Sequence, residues 1–280
     1  MTATLAFLDE PQLGAAVSLS QAEGWPHTIA DWALMLRIGR GVALREGDDL
    51  RGTAVFIPYG EVDGAVAMVL VAKDARRHGL GRSLMTEVLA QAPERQLRLV
   101  STASAVPLYQ SLGFEPAGRV YQMEGWPDAG GLGPRNGVVL AMEGETPAIL
   151  GLDKAAFGAD RTRLLQALVA NGEAMLLRDP FVTGFAIRRP FGDGVVIGPV
   201  VAPHLQAAKR LIAAHVARTP RAFVRIDTRD EALADWLSSC GLVEGAGGIA
   251  MIRPGAVLHN RVVGQGRGAQ TFALAAQAFG

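Results

Sequence analysis

The sequence predicts an α/β protein made of two similar halves, each a mixed, mostly antiparallel twisted sheet flanked by helices. Three observations carry that prediction. The stretch Val69–Leu89 reads as strand, glycine-bearing loop and helix start. Its strand is the last of three short apolar runs separated by polar turns, the pattern of a strand meander. From Ile149 onward the same order of strands and helices recurs, in order and spacing more than in identity.

Length and composition bound the reading. A chain of 280 residues suits one large domain or two of about 140. With 49% hydrophobic and 19% charged residues it can bury a sizeable core. Lys plus Arg and Asp plus Glu both number 27, so nothing argues for broad nucleic-acid binding or attraction to acidic membranes. The apolar runs are too short to span a bilayer, and the first residues lack the basic start of a signal peptide. Cys240 is the sole cysteine, which excludes an intrachain disulfide. The expectation is a soluble cytoplasmic protein, and an Ala-, Gly- and Arg-rich, Lys-poor composition points to a bacterial source.

The elements follow in order. Leu5–Val17 reads as a strand running into a helix (Pro11 to Ser18). Thr28 caps a second helix through Asp31–Gly39, with Asp31 as the acid of a capping box. Val42–Arg45, Gly52–Ile57 and Val66–Ala72 form the meander. Leu80, Leu84, Met85, Val88 and Leu89 then recur at helical spacing. Leu97–Ser101 is a strand and Ala105–Ser111 a helix with Pro107 in its first turn. Arg119–Glu124 is the last strand of this half, and the Gly- and Pro-rich Trp126–Gly137 is a loop. Val138–Met142 completes the first half or starts the connection.

The loop Arg76-Arg77-His78-Gly79-Leu80-Gly81 opens the central helix. The first turn of a helix leaves backbone N–H groups unpaired, and its dipole adds positive potential, which suits an anionic phosphate. Gly79 and Gly81 let the backbone approach closely, while Arg76, Arg77 and Arg82 add charge. The same residues also read as an ordinary strand-to-helix turn with surface arginines. A Walker A loop would need Gly-Lys-Ser/Thr, and a dinucleotide fingerprint three glycines and a later acid.

Arg76-x-x-Gly79-x-Gly81, followed by Leu97–Val100 and then Pro107-Leu108-Tyr109-Gln110-Ser111-Leu112-Gly113-Phe114, closely resembles the GNAT acetyltransferase superfamily. The resemblance implies that the loop holds the pyrophosphate of acetyl-coenzyme A, through the backbone and side chains of Arg76, Arg77, His78, Gly79, Leu80, Gly81, Arg82 and Ser83. It implies that the pantetheine arm runs along Leu70, Val71 and Ala72, where the family's strands splay, with a strand N–H near Val71 polarising the thioester carbonyl. Thr102 stands where many members have a pantetheine-holding asparagine, a departure from the pattern. Tyr109 is implied as the proton donor to the departing thiolate; by itself it also reads as a half-buried core tyrosine. The family often places a carboxylate just before this strand, so Glu61 is the candidate base, with Asp63 beside it; the residues by themselves read first as a surface turn of solvated acids. Trp25 and Trp32 read by themselves as core or lid packing; in the family, Trp25, Asp31 and Trp32 fall in the segment that covers the acceptor, with His27 and Asp31 as further base candidates. No cluster has metal-ligand spacing, and no metal is expected.

The second half aligns as Leu152–Phe157 and Arg161–Ala170 (helices), Ala174–Arg178, Thr183–Arg188 and Val195–Val201 (meander), Gln206–Ala217 (central helix), Ala222–Asp227 (strand), Glu231–Ser239 (helix) and Gly248–Ile252 (closing strand). The path from Val201 to Leu211 is about three residues shorter than in the first half and lacks glycine. Aligning Gly241 with Gly113 puts Leu237 where Tyr109 stands. The second half therefore reads as a degenerate copy, and the layout resembles two-domain bacterial proteins of this superfamily, with domains 1–145 and 146–280. In the tail, Gln265-Gly266-Arg267-Gly268 reads as a turn and Thr271–Phe279 as an alanine-rich helix.

The reading is an acetyl-CoA-dependent N-acetyltransferase that acts on the primary amine of a small molecule by direct attack on the thioester. The chain would be a monomer (an internal pseudo-dimer) or a homodimer, with no nucleic-acid or membrane partner. Two other readings stay open: a CoA-binding sensor or scaffold with little turnover, and an enzyme acetylating protein N-termini or lysines.

Overall fold

Apolar runs bounded by polar turns build the first sheet of the computed structural model, which describes residues 3–128, 131–178, 180–256 and 268–280. β1 (Thr4–Leu8) and a 3-10 turn (Glu10–Gln12) lead to α1 (Leu13–Ala22) and α2 (Ile29–Ile38). The Thr28 side chain accepts from the Asp31 N–H while Asp31 accepts from the Thr28 N–H, so α2 begins in the expected capping box. β2 (Arg40–Glu46), β3 (Asp49–Tyr59) and β4 (Asp63–Val71) form the antiparallel meander, followed by α3 (Leu80–Ala90), β5 (Gln96–Ser101), α4 (Val106–Gln110) and β6 (Glu115–Gly125). The order then repeats with β7 (Val138–Leu140), α5 (Thr146–Phe157), α6 (Thr162–Ala170), β8 (Glu173–Arg178), β9 (Val182–Phe191), β10 (Gly194–Ala202), α7 (Leu205–Ala217), β11 (Val224–Thr228), α8 (Glu231–Ser239), β12 (Val243–Glu244), β13 (Gly248–Arg253) and β14 (Gln270–Ala273).

The repeat is geometric as well as sequential. Phe114 N–H donates to the Tyr109 carbonyl at 3.0 Å and Leu242 N–H to that of Leu237 at 3.1 Å. The intervening glycines, Gly113 and Gly241, lie at φ 85° and 91°, the left-handed geometry that closes a helix. Leu237 therefore occupies the place of Tyr109, as the alignment requires.

The strands join into one sheet in the order β1-β2-β3-β4-β5-β13-β6-β11-β14-β10-β9-β8-β7, with β12 beside β6. The position of β13 corrects the expectation that Gly248–Ile252 closes the second half's sheet. It lies between β5 and β6, pairing Met251 with Leu99 and Ile249 with Arg119. In return, Tyr121–Gly125 of β6 leave the first half and pair with Thr228–Val224 of β11. Each half closes the other's sheet, so each sheet draws on both sides of residue 145. The ladder supplies the reason: the edges of β5 and β11 need partners, and an exchanged strand satisfies them as well as a local one. β7 pairs with β8 and so belongs to the second sheet.

The tail also departs from expectation. Residues 270–273 form β14, and only Gln277–Phe279 coil, as one 3-10 turn. Alanine-rich composition favours a helix weakly, and ladder pairing to β10 outweighs it. Gln265, Gly266 and Arg267, expected as a turn, lie outside the described residues.

Three cores result. One packs α3 and α4 on the first sheet (Leu84, Met85, Tyr109, Phe114), and another packs α7 and α8 on the second (Leu211, Ile212, Leu233, Leu237). The third is shared by α1, α2, α5, α6 and the C-terminus. In it the Phe157 ring of the second half stacks under Arg98 of the first at 4.3 Å and Arg161 at 3.6 Å.

Candidate active site

The site is built on β4. β4 and β5 run parallel but pair only over Asp63–Ala65 and Gln96–Arg98. Beyond Ala65 no ladder joins them among the described residues, leaving a gap between Ala67–Val71 on one side and Leu99–Ser101 on the other. In the same stretch β4 bulges. Val55 opposes Ala67 and Thr53 opposes Leu70, one residue too many, and Met68 takes φ 51°. A β-bulge re-aims a backbone group out of the ladder, and a left-handed methionine inside a strand is held only by its surroundings. Here Thr53 Oγ1 donates to the Met68 carbonyl at 2.8 Å. Nothing in the apolar run around Met68 signals the bulge, and sequence reasoning missed it.

The loop from β4 to α3 is pinned at several points. Arg51 pairs with Asp74 at 2.7 Å. Arg76 donates from Nε to the Val71 carbonyl at 3.0 Å and pairs with Glu23 at the end of α1. Its guanidinium thus holds the loop against β4 and α1. Arg77 (φ 68°) and Gly79 (φ 77°) are both left-handed at the exposed α3 N-terminus, and turns of this kind can form anion-binding concavities. Such a concavity suits an anion.

The two glycines serve different ends. Around a Cβ on Gly79 nothing lies within 4 Å, so its need is the left-handed turn and the space beside it stays open. A Cβ on Gly81 would sit 3.3 Å from Leu108 Cδ2 of α4, so Gly81 lets α3 approach the tyrosine-bearing helix. Arg77, His78 and Arg82 are exposed at this turn. Arg82 also donates to Ser111 Oγ at 2.7 Å, and Ser83 Oγ to the Gly79 carbonyl at 3.4 Å. Leu80 packs on the α3–α4 core. Thr102 is exposed at the end of β5, with its hydroxyl 3.2 Å from that of Ser104.

Tyr109 lies in the α3–α4 core, edge-on to Phe114 at 5.9 Å, with no hydroxyl partner among the described residues. Burial pushes its pKa up to about 12, so the phenol keeps its proton throughout the physiological range. A crevice of about 440 Å³ opens near the end of β5, lined by Ala103, Gly118 and Arg119 from the first half and Gly247 and Gly248 from the second.

Glu61, Asp63, Trp32, Asp31, Trp25 and His27 complete the expected set. Glu61 is exposed on the turn at the closed end of β4, on the order of 20 Å of strand from the bulge. Asp63 is buried and not solvated: it pairs with Arg98 at 3.2 Å and accepts from Gln96 at 3.1 Å. Trp32 is fully buried, its Nε1 donating to Ser20 Oγ at 3.2 Å, which makes it core and not pocket wall. Asp31 is buried against Arg189 of β9 at 2.9 Å. Trp25 is half-buried, its ring 6.1 Å from that of His27. His27 is buried edge-on to Phe191, and burial, opposed by Asp31 and reinforced by Arg225 and Arg189, pulls its pKa down to about 4. Among the described residues no group of His, Cys, Asp and Glu can hold a metal. No helix among them is long and apolar enough to cross a membrane.

Models of the Acetyltransferase (GNAT) domain match residues 17–129 and 149–262. A protein named uncharacterized N-acetyltransferase YitH, from Bacillus subtilis (strain 168), is 28% identical over 234 residues, covering 80% of this chain and 81% of its own. The crystal structure of a putative acetyltransferase from Pyrococcus horikoshii superposes with a TM-score of 0.79 at 18% identity, over 99% of this chain and 96% of that one. A tandem GNAT protein from the clavulanic acid biosynthesis pathway superposes with a TM-score of 0.64 at 15% identity, over 92% and 100%. With one domain match in each half and the same strand–helix order in both, the chain belongs to the GNAT acetyltransferase superfamily, as a two-domain member.

Proposed function

We propose that the protein is an acetyl-CoA-dependent N-acetyltransferase with one reaction centre, in the first half (residues 1–145), acting on the primary amine of a small molecule. The carrying observation is the open gap between β4 and β5, bordered by the Met68 bulge and leading to the N-terminus of α3. The superfamily generally uses acetyl-CoA, and the residues present fit it. The space at Gly79 is open, Arg77 and Gly79 take the left-handed geometry of an anion-binding turn, and Arg77 has no ion-pair partner among the described residues.

When bound, the cofactor supplies an acetyl group activated as a thioester. Backbone N–H groups of the Arg77–Arg82 turn, with Arg77 and Arg82 side chains, would hold its phosphates. Unpaired backbone groups of Ala67–Val71 would hold an extended arm as a strand is held. The re-aimed backbone at the bulge offers a fixed dipole beside the reacting carbonyl. Tyr109 holds a proton at Oη for the leaving sulfur. For deprotonating the amine, none of the expected groups is suited: Glu61 is distant, Asp31 and Asp63 are ion-paired, and His27 is a weak base. The amine therefore loses its proton to water before attack.

Calorimetric titration of acetyl-CoA into the full chain, followed by an amine screen read by thiol release, tests this. Saturable binding and amine-dependent thiol release are expected. No binding would overturn the proposal, and binding without any accelerating amine would replace it with the sensor reading.

A further inference from the structure

The gap that the first half keeps open is filled in the second. β10 and β11 correspond to β4 and β5, run parallel, and pair only over Val195–Val196 and Val224–Arg225. Beyond that point they part, as their counterparts do, but β14 enters the space. Its residues pair antiparallel with β10, Gln270 with Ala202, Thr271 with Val201 and Ala273 with Val200, and Ala273 pairs with Thr228 of β11 on the other side. Leu274 N–H donates to the Asp227 carbonyl at 2.8 Å. The fit extends to the bulge. β10 is irregular between Ile197 and Val200, as β4 is around Met68, and a Cβ on Gly198 would overlap the Leu274 carbonyl. A backbone carbonyl of the chain itself lies where the second half's bulge could face a ligand's.

The geometry points to the C-terminal segment Gln270–Leu274 as the built-in occupant of the second half's cofactor cleft. The second half is then closed to acetyl-CoA, and the protein takes one cofactor per chain. β14 lies beyond the stretch that matches the domain family, which ends at residue 262. The missing glycine loop before α7 agrees: the His204 side chain caps that helix by accepting from the Ala207 N–H at 3.2 Å. Phe272 and Ala273 are buried in the α7–α8 core, so the strand is an integral part of it.

The occupied cleft also gives the second half a task. The chain leaving β14 reaches the first half within a few residues. The Gln277 N–H donates to Asp227 at 3.0 Å, its side chain donates to Gln122 at 3.0 Å, and Tyr59 of the first half donates to the Phe279 carbonyl at 2.6 Å. The turn Gln277–Phe279 packs on β4 and β5, on the face opposite α3. By gripping β14, the second half holds this turn against the strands that border the first half's gap.

Hydrogen exchange on the full chain, with and without saturating acetyl-CoA, tests the assignment. Peptides covering 270–274 should exchange slower than unstructured chain by at least about two orders of magnitude, and cofactor should not change that. Peptides covering 67–83 should slow on addition, and calorimetry should give one site. Rapid exchange at 270–274 in the free protein, its acceleration by acetyl-CoA, or a stoichiometry of two would overturn the assignment. The inference takes only the cofactor's position from the proposed function. If 67–83 fail to respond while 270–274 stay slow, that proposal fails and the occupied cleft stands.

Discussion

Asp31 and Arg189 form a buried ion pair, 2.9 Å apart, that joins the capping box of α2 in the first half to β9 in the second. Both side chains are almost inaccessible, and Arg189 has a further unpartnered Nε. Removing one partner of such a pair leaves the other charge buried alone. Asp31→Ala should therefore destabilise by about 3–5 kcal/mol, read as a lower urea midpoint, and a variant that also carries Arg189→Met should recover part of the loss. A single variant within about 0.5 kcal/mol of the parent would show that the pair is not closed in solution.

Gly79→Ala probes the turn without touching the core. At φ 77° an L-residue is strained by about 1–2 kcal/mol, and no neighbour lies within 4 Å of the new methyl. Acetyl-CoA affinity should fall about tenfold while α3 stays folded by circular dichroism. Unchanged affinity would remove this turn from the cofactor site.

Arg76→Glu should act through the loop's anchorage. The new carboxylate would face Glu23 and lose the bond to the Val71 carbonyl. Weaker cofactor binding together with faster exchange of residues 73–79 is expected. Arg77→Ala, by contrast, should weaken binding with exchange in the free protein unchanged. Identical behaviour of the two variants would contradict the separate roles.

Tyr109→Phe should lower the rate of amine-dependent thiol release by about 100-fold or more, with cofactor affinity and stability little changed. Because the phenol titrates only near pH 12, activity should show no loss from its ionisation below pH 10. With no base placed at the site, kcat/KM should instead rise with pH up to the acceptor amine's own pKa. A limb near pH 6 to 7 that is independent of the amine used would point to a histidine or carboxylate base after all.

Acid should weaken the fold through two buried histidines. His27 and His215 are pulled from 6.5 to about 4, in each case first by burial. The unfolded chain takes up these protons near pH 6.5 and the folded chain only near pH 4. Their contribution is therefore complete above pH 6.5 and is lost as pH falls toward 4, on the order of 3 kcal/mol each. Urea midpoints at pH 7.5 and 5.0 should differ accordingly, and His215→Gln should flatten that difference. Parallel pH dependences in parent and variant would rule His215 out as a source.

The sequence by itself determined the elements, their repetition and the position of the two motifs. Helix spacing, the Thr28 cap and the left-handed closures at Gly113 and Gly241 are local properties, set within one or two turns of chain. The equivalence of Tyr109 and Leu237 follows from the same local closures. Only the tertiary structure decided what long-range pairing decides. The exchange of β13 for the end of β6 depends on which unpaired edge each strand meets, and nothing local distinguishes the two edges. Whether 270–273 coil or extend depended on an open cleft in β10 and β11, not on alanine content. The same holds for charge: Asp31, Asp63 and Arg76 are polar residues in plausible places for chemistry, and their partners Arg189, Arg98 and Glu23 lie between 35 and 158 positions away. Folding brings Asp31 and Asp63 to their partners because a buried charge is costly alone, a cost invisible in the linear sequence, while the Arg76–Glu23 pair stays partly exposed.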